Sequence, residues 1–325
     1  MSRPESSSIS SVAFSGEAQS SLSMSERIID TIGLESYIPH RGINLLPDTV
    51  YLAEDLQSSR STTTILDPDP RGRDLLYRIG SDGERYWNEA FLIELTALTG
   101  IPMISEALAQ EGKVAVFSAI SKLDLPAPAP LHGTITGYAQ MTRQRSGFAQ
   151  FTGSLECNGV PILQAQFMSG SAAIDDIAKQ GAASQPSPPA ATSLPSWPWK
   201  PSPLRFIDGV IASDDQQWQG SYCYPSDHPF VPGHFPGGPL MMGVTQCSAI
   251  ADGLTAWVMD RQLADGRYTC DGLVARPDGS EVASARKLAI AVSGGTSRLE
   301  QLDRIVFKDV VRPNDTLLIS VNPVL

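Results

Sequence analysis

The sequence predicts an α+β protein built from two similar units, each an antiparallel, curled sheet wrapped around one central helix. Three observations predict it: a length of 325 residues, a proline-rich stretch near the middle, and a shared order of elements on either side of that stretch. A chain of this length suits two domains of about 100–200 residues each. We therefore expect two hydrophobic cores rather than one.

The boundary between the units is predicted from proline. Repeated prolines between residues 173 and 203 block both helix and sheet, and favour an extended, semi-rigid linker. This makes residues 37–172 the first unit and residues 204–325 the second, called unit 1 and unit 2 below. Residues 1–36 are small and polar, and we expect a disordered tail with some helical tendency at residues 25–29.

Each unit contains one central apolar helix. In unit 1 the helix is predicted over Ala90–Thr99, which is apolar all round and is stopped by Gly100 and Pro102. In unit 2 it is predicted over Gly243–Met259, where apolar residues recur at spacings of three and four. Both patterns indicate core helices that are covered by other structure.

Short strands are predicted around these helices. Each unit begins with a short apolar strand, at residues 43–48 in unit 1 and at residues 204–209 in unit 2. After the helix of unit 1, alternating segments at 148–156 and 161–167 flank the Asn158-Gly159 dipeptide, which predicts a β-hairpin. One strand, a buried helix and a meander of strands form an α+β layer.

The ends of the two units differ. Unit 1 continues beyond Lys122–Pro130 into two more strands, whereas unit 2 stops at Leu318–Asn322. We therefore expect the last strands of unit 2 to be missing, or to come from a following domain or a second polypeptide.

Composition excludes several classes of function. A formal net charge of −11 argues against nucleic acid as a partner, because phosphate binding needs clustered Lys and Arg. The sequence has neither a run of 18 apolar residues nor a secretory signal, so we expect a soluble, cytoplasmic protein with no membrane partner. The four cysteines are far apart, which predicts neither a disulfide framework nor a zinc site. An acidic protein partner would need a local basic patch, and the candidates are Arg143 with Arg145 and Arg286 with Lys287.

One loop carries the residues best suited to chemistry. Residues 227–244 are dense in Gly and Pro and run directly into the second helix, which places His234 close to a helix N-terminus. The free amides and the dipole at such an end favour developing negative charge. The loop therefore predicts a general base next to an oxyanion donor.

This loop resembles the GHFPGxPxMPGVL motif of bacterial 3-hydroxyacyl-acyl-carrier-protein dehydratases of the FabA/FabZ type. The matched positions are His234, Phe235, Pro236, Gly237, Pro239, Met241, Gly243 and Val244, and Met242 replaces a proline. Pro39-His40-Arg41 with residues 45–48 resembles the family's opening motif, and residues 122–126 and 307–315 resemble one of its later strands. The resemblance covers most of both units and implies a double hot-dog fold.

The resemblance also implies a composite site. In the family a Glu or Asp lies fourteen residues after the histidine, and in unit 2 that position is Ser248. Aligning the helices places Glu94 at the acid position of unit 1 and Gly80, fourteen residues earlier, at the histidine position. Family dimers build each site from the histidine of one unit and the carboxylate of its neighbour. His234 with Glu94 is then the one complete pair.

The implied reaction is dehydration of a 3-hydroxyacyl thioester to a 2-enoyl thioester in fatty acid or polyketide biosynthesis. His234 would remove the α-proton, the Gly243 amide would polarise the thioester carbonyl, and Glu94, kept protonated by burial, would assist loss of the hydroxyl. The implied substrate-binding set is completed by Phe235, Gly237 and Asp252. The substrate would arrive on the phosphopantetheine of an acyl carrier protein, with no metal or redox cofactor.

Other polar residues are weaker candidates. Asp252 lies four residues after Ser248 on the same predicted helical face, so a substitute acid, a substrate-orienting group and a structural carboxylate all stay open. His228 is expected to be a loop residue, His40 a structural part of the opening motif, and His132 part of a proline-rich turn.

Two other functions stay open. Thioester hydrolysis is supported by the same fold, so the fold alone does not decide the reaction. Outside catalysis, the alternative is a partner subunit that completes a dehydratase or synthase, which Ser248 at the acid position and the short unit 2 support. Whether two chains pair as a homodimer is also left open.

Overall fold

The strands of both units join one long antiparallel sheet in the computed structural model, which describes residues 26–145, 147–173, 175–176, 190–194 and 196–324. Central helices lie against this sheet, and a short separate hairpin completes the described fold. The predicted α+β double hot-dog is confirmed, because each unit is a sheet packed around one buried helix.

The elements of unit 1 run from residue 26 to residue 173. Its strands are β1 (Glu26–Asp30), β2 (Thr49–Ala53), β3 (Ser58–Thr63), β4 (Tyr77–Ile79), β5 (Arg85–Trp87), β6 (Lys113–Asp124), β7 (Ile135–Arg145), β8 (Phe148–Cys157) and β9 (Val160–Ala173). Its α-helices are α1 (Thr31–Leu34), α2 (Glu89–Gly100) and α3 (Pro102–Gln110).

The elements of the linker and unit 2 run from residue 192 to residue 324. The strands are β10 (Thr192–Ser193), β11 (Gly209–Ser213), β12 (Trp218–Cys223), β13 (Gly266–Ala275), β14 (Glu281–Ser293), β15 (Thr296–Leu302), β16 (Arg304–Phe307) and β17 (Thr316–Val324). The central helix is α4 (Gly243–Asp260).

The two units meet in the middle of the sheet. The strand order is β1-β2-β3-β7-β8-β9-β6 followed by β15-β14-β13-β17-β12-β11-β10, with β16 beside β14 and β6. At the junction Gln301 of β15 pairs with Asp124 of β6, and Ile305 of β16 pairs with Ile120 of β6. These pairings are antiparallel, so a single hydrogen-bonded sheet runs through both units.

The two units build the same sheet in a different chain order. In unit 1 the chain leaves α2 and α3 into the junction strand β6, then crosses to β7 and finishes with β8 and β9. In unit 2 it leaves α4 into β13 and β14, which take the positions of β8 and β9, then forms the junction strands and ends with β17 beside β12. The expectation that unit 2 lacks its last strands is therefore wrong, because those strands directly follow the helix.

Each central helix approaches its sheet through a glycine. A Cβ added at Gly153 of β8 would lie 2.3 Å from Thr96 Cγ2 on α2, and one added at Gly272 of β13 would lie 2.2 Å from Ile250 Cγ2 on α4. Glycine alone permits these approaches. Thr96 and Ile250 each lie two positions after the predicted acid position of their helix, so the packing supports the alignment of the two helices.

The central helices and the hairpin are confirmed. The two helices exceed their predicted ranges by one residue at one or both ends. The hairpin between β8 and β9 turns at Asn158 and Gly159, whose φ angles of 51° and 79° are those of the turn that favours this dipeptide.

The short strands predicted at residues 43–48 and 204–209 are wrong. In unit 1, Leu45 and Leu46 are buried, but their carbonyls accept hydrogen bonds from the guanidinium groups of Arg71 and Arg73. Sheet pairing begins at Thr49, directly after the first segment, and at Gly209, the last residue of the second. The apolar pattern therefore reflects burial and not strand pairing.

The tail and the linker differ from their predictions where the structure describes them. β1 pairs with β2, so the helical tendency at residues 25–29 is wrong and part of the predicted tail belongs to the sheet; residues 1–25 lie outside the described residues. At the end of the linker, the buried rings of Trp197 and Trp199 stack with centroids 5.6 Å apart, and Ile79 N donates to Trp199 O at 2.7 Å. This part of the linker is packed against unit 1, and most of residues 174–195 lie outside the described residues.

Among the described residues, no single helix is both long enough and apolar enough to cross a membrane. The consecutive helices α2 and α3 have the length and apolarity of a membrane span only when they are taken together, and they meet at a bend of 62°. All residues of α2 are buried within the protein.

Candidate active site

The loop that carries His234 is held by the opening loop of unit 1. The Arg41 amide donates to Gly233 O at 3.0 Å, and Asn44 Nδ2 donates to Phe230 O at 2.9 Å. A Cβ added at Gly233 would lie 2.2 Å from Arg41 O, so glycine is required at this contact. The position of His234 is therefore set by both units.

His234 is buried and is held in one tautomer. Its Nδ1 lies 2.9 Å from Leu240 O, and Leu240 N donates to His234 O at 2.6 Å. Because a carbonyl oxygen only accepts, Nδ1 carries the proton. In the neutral ring Nε2 then has a free lone pair, which a general base requires.

Glu94 reaches the same place from α2. Its side chain is buried, as is the rest of this helix. A ring nitrogen from each of His40 and His234 and a carboxylate oxygen of Glu94 all lie within 4.8 Å of one another. The structure therefore brings the two predicted catalytic residues together, one from each unit.

His40 belongs to this cluster, although the sequence indicated a structural role for it. Its Nε2 lies 3.3 Å from Glu94 Oε1, and its ring centroid is 4.8 Å from that of His234 and 5.2 Å from that of Phe235. Among the described residues, neither ring nitrogen has a hydrogen-bond partner of acceptable geometry. The sequence contains one indication of such a role. His40 directly precedes an apolar segment, and burying a polar group without a hydrogen-bond partner costs free energy.

Burial favours the neutral form of all three groups. It lowers the pKa of His40 to about 3, and the neighbouring charge of Arg41 adds to the effect. It lowers the pKa of His234 to about 4, with His40 lowering it further and Glu94 opposing the shift. It raises the pKa of Glu94 against an opposing effect of His234. The cluster therefore favours two neutral imidazoles beside a protonated carboxyl group.

The same three side chains are the group, within the described residues, that could hold a metal ion. Two imidazoles and a carboxylate are common ligands of zinc and other transition metals. A metal ion would need the lone pair of His234 Nε2 and the ionised form of Glu94, whereas burial favours protonated Glu94. The arrangement fits acid–base chemistry better than metal ligation.

The other loop residues of the predicted set lie beside His234. Phe235 packs with Leu240 in a small apolar cluster, together with Val114, Val116, Ala172 and Val310. Gly237 has a φ of 80°, a left-handed conformation that favours glycine. Gly243 is the first residue of α4, where the amides have no acceptor within the helix. The loop thus combines an apolar wall with a helix N-terminus.

Asp252 is not part of the His40–Glu94–His234 cluster. Lys200 Nζ lies 2.5 Å from Asp252 Oδ1, and Phe206 N donates to Asp252 Oδ2 at 2.8 Å. Burial raises the pKa of Asp252, and Lys200 opposes that shift. Both members of the ion pair are buried. Of the roles left open for Asp252, the structure favours the structural one and does not support its place in the substrate-binding set.

The remaining two histidines have backbone partners. His228 Nε2 donates to Pro203 O at 2.8 Å, and its Nδ1 accepts from Phe230 N at 3.3 Å. His132 Nδ1 lies 2.9 Å from Ile65 O. These contacts hold loops together.

The two positions that the resemblance aligns with an acid and a histidine, Ser248 and Gly80, lie at a second place in the fold. Ser248, at the acid position of unit 2, lines a cavity of about 20 Å³. Gly80, at the histidine position of unit 1, lines a cavity of about 170 Å³. Both cavities include Arg78 in their walls. We call this region the serine end, and we call the cluster of His40, Glu94 and His234 the histidine end.

Lys200 takes the place of His40 at the serine end. Lys200 lies eight residues before Asp208, as His40 lies eight residues before Asp48. The two aspartates directly precede β11 and β2, which occupy corresponding positions in their units. The serine end therefore repeats the plan of the histidine end with different side chains.

The chain is similar to several solved structures. No family model and no curated protein sequence matches the chain. The dehydratase heterocomplex ApeI:P from Xenorhabdus doucetiae is 11% identical, with a TM-score of 0.36 over 45% of this chain and 97% of that chain. A hypothetical thioesterase with coenzyme A from Streptococcus pneumoniae TIGR4 is 12% identical, with a TM-score of 0.27 over 36% and 80%. The fluoroacetyl-CoA thioesterase FlK is 14% identical, with a TM-score of 0.27 over 28% and 67%.

The chain has the hot-dog fold. Each of these similarities covers less than half of the chain at low identity, so the fold rests on the strand order and on the central helices. The named neighbours include a dehydratase complex and thioesterases, and they do not select one reaction for this chain.

Proposed function

We propose that the chain is a cytoplasmic enzyme of fatty acid or polyketide biosynthesis that removes water from a 3-hydroxyacyl thioester on an acyl carrier protein. The product would be a 2-enoyl thioester. The observation that carries the proposal is the meeting of His234, whose Nε2 has a free lone pair in the neutral ring, with Glu94, a carboxyl group whose pKa is raised by burial. One group can take a proton while the other gives one, as β-elimination requires.

The proton balance of the reaction closes within this pair. His234 Nε2 takes the α-proton, and the electron pair of that bond forms the Cα=Cβ double bond. The Cβ–O bond breaks, and the hydroxyl leaves as water with the proton of Glu94. The amides at the start of α4 polarise the thioester carbonyl during this step. Proton transfer from His234 to the Glu94 carboxylate, relayed by the water molecule that has just been released because the two groups lie up to 4.8 Å apart, restores the starting state.

His40 is assigned the positioning of Glu94. Its Nε2 lies 3.3 Å from Glu94 Oε1, and it does not need to reach the substrate for this role. In one tautomer of the neutral imidazole Nε2 accepts from the protonated carboxyl group, and in the other tautomer Nε2 donates to the carboxylate. His40 therefore supports Glu94 before and after it gives up its proton.

The carrier protein is proposed to dock at the hairpin between β7 and β8. Arg143 and Arg145 are exposed there, and the pairing of β8 with β9 and of β9 with β6 places this hairpin at the same end of the sheet as Val114 and Val116. A basic patch beside the apolar wall suits an acidic carrier that delivers an acyl chain. Replacing both arginines by Glu should raise KM several-fold for carrier-bound substrate and not for the pantetheine thioester.

The direct test follows the mass of a 3-hydroxyacyl carrier protein incubated with the full chain. We expect loss of one water, and we expect His234→Ala to lower the rate by about 10²–10⁴-fold. Ser248→Ala is the matched control, because Ser248 occupies the corresponding acid position at the serine end, and it should keep full activity. An unchanged rate in His234→Ala would contradict the proposal.

Thioester hydrolysis is the second candidate, favoured by a buried carboxylate on the central helix. It would use ionised Glu94 to activate water, whereas burial favours the protonated form. Release of free acid in the same assay would therefore replace dehydration as the function. The partner-subunit alternative loses one support, because the strands expected to be missing from unit 2 are present. Wild-type activity that requires a co-expressed partner would favour it.

A further inference from the structure

The serine end contains a polar space that the proposed dehydration does not use. Its cavities, of about 20 Å³ and about 170 Å³, share Arg78, Ser297 and Arg298 in their walls. The larger cavity also borders Gly80, which stands at the lost histidine position. The place that corresponds to the histidine end thus contains a space lined by two guanidinium groups.

The walls of the two ends differ in chemistry at corresponding places. β9 and β6 pair Ala172 with Val114 at the histidine end, and β14 and β15 pair Val292 with Ser297 at the serine end. The apolar wall beside His234 is replaced around the larger cavity by polar residues, namely Ser81, Asp82, Ser293, Thr296, Ser297 and Arg298. The larger cavity thus offers more polar groups to a ligand than the wall beside His234 does.

Arg78 supplies the main argument for a ligand. It is 4% exposed, and its Nε donates to Glu89 Oε1 at 2.7 Å. Within the described part of the chain, its Nη2 is buried without a hydrogen-bond partner. Leaving such a donor unsatisfied costs about 1–3 kcal/mol. A bound acceptor in either cavity would remove that cost.

The charges around the larger cavity define the kind of acceptor. Arg78 and Arg298 line it, and Asp82 is the carboxylate in its described wall. Asp82 accepts from the Tyr86 hydroxyl at 2.6 Å, and Arg298 Nη2 donates to Glu300 Oε1 at 2.5 Å. Each guanidinium therefore has one carboxylate partner already. Arg298 Nη1 also donates to Leu125 O at 3.1 Å, so the donor left without a partner among the described residues is Arg78 Nη2. The space favours an oxyanion through this donor and not through a large net charge.

We propose that the serine end binds the phosphoryl group of a small ligand through Arg78, Arg298 and the hydroxyls of Ser81 and Ser293. Guanidinium groups are planar and present several donors that match the oxygens of a phosphoryl group. A cavity of about 170 Å³ has room for a group of several heavy atoms. The proposal goes beyond dehydration and does not depend on it.

Calorimetric titration of the full chain tests the proposal. The probes are inorganic phosphate, pyrophosphate, coenzyme A and pantetheine, which is the arm of coenzyme A without its phosphates. We expect the three phosphate-bearing probes to bind and pantetheine not to bind. Tighter binding of coenzyme A indicates a phosphorylated arm as the source of the group, and equal binding indicates free phosphate. Binding of none of the three would overturn the proposal.

Three variants locate the binding. The double variant Arg78→Gln/Glu89→Gln removes both members of the buried ion pair, so it leaves no unpaired charge, and Arg298→Gln removes the second guanidinium. We expect each to weaken phosphate binding at least tenfold. Arg85→Gln on the neighbouring strand β5 is the matched control, because Arg85 is exposed and does not line either cavity.

Phosphate binding by His234→Ala separates this proposal from the dehydratase proposal. His234→Ala should bind the phosphate probes as the wild type does, since His234 lines neither cavity. Unchanged affinity in both the double variant and Arg298→Gln, with thermal unfolding showing that they fold, would assign the binding to another place and overturn the proposal.

Discussion

The histidine end and the serine end use the same backbone plan to hold buried polar groups in opposite ways. At the histidine end, burial lowers the pKa of His40 and His234 and raises that of Glu94, so the neutral forms are favoured. At the serine end burial also raises the pKa of Asp252, but the Lys200 ammonium group at 2.5 Å opposes that shift and favours a buried ion pair. A group that can change its protonation state can transfer protons, whereas a fixed ion pair mainly ties elements together.

The difference shows why one end is suited to catalysis. The His234 loop and α2 belong to different units, and the candidate catalytic groups that they bring together are favoured in their neutral forms instead of as an ion pair. At the serine end, the ion pair of Lys200 and Asp252 instead joins the end of the linker to α4. Variants at the two ends test this contrast, from the largest expected effect to the smallest.

The ion pair at the serine end should matter most for stability. Lys200→Met leaves Asp252 buried without its charge partner, and we expect a loss of about 3–5 kcal/mol in the free energy of unfolding. Glu94→Gln replaces a protonated carboxyl group with a similar amide and should cost less than about 1 kcal/mol. Urea unfolding at neutral pH measures both. Equal losses at the two ends would remove the contrast.

The pH dependence of kcat should reflect the neutral state of the histidine end. The rate requires neutral His234, so it should fall with decreasing pH only near pH 4, instead of near the ordinary pKa of 6.5. It also requires protonated Glu94, so it should fall as the pH rises through the raised pKa of that group. Glu94→Gln should keep the acid limb and lose the alkaline limb. An acid limb near pH 6.5 would contradict the neutral state inferred for His234.

The positioning role of His40 should appear as a smaller kinetic loss. His40→Gln should lower kcat by roughly tenfold with little change in KM, because Glu94 keeps its proton but loses its support. The alkaline limb of the pH profile should also move, since His40 contacts the titrating carboxyl group. His132→Gln is the control, because His132 has a backbone partner in another loop. Loss of stability with an unmoved limb would indicate a structural role alone.

Much of the fold and part of the site follow from local patterns in the sequence. The central helices and the hairpin between β8 and β9 were predictable because hydrophobic periodicity and a turn dipeptide are local signals. The pairing of His234 with Glu94 is implied by the motif spacing of the dehydratase family that the loop resembles. These predictions needed no knowledge of side-chain packing.

The remaining features depend on contacts between distant residues. The role of Asp252 is set by Lys200, 52 residues away in the linker, and no spacing rule connects them. The different strand order of unit 2 could not be read from the sequence, because strands look alike until their neighbours in the sheet are known. The sequence predicts only a structural role for His40, because the contact of His40 with Glu94 joins two elements that only the folded sheet brings together.

The central claim is that His234 and Glu94 act as one composite site, and a double-mutant cycle tests it most directly. The measurement is kcat/KM for dehydration by the wild type, His234→Ala, Glu94→Gln and the double variant. Because the two groups serve one proton-transfer sequence, we expect the double variant to be little slower than the slower single variant. Losses that multiply in the double variant would show that the residues act independently, and would contradict the composite site.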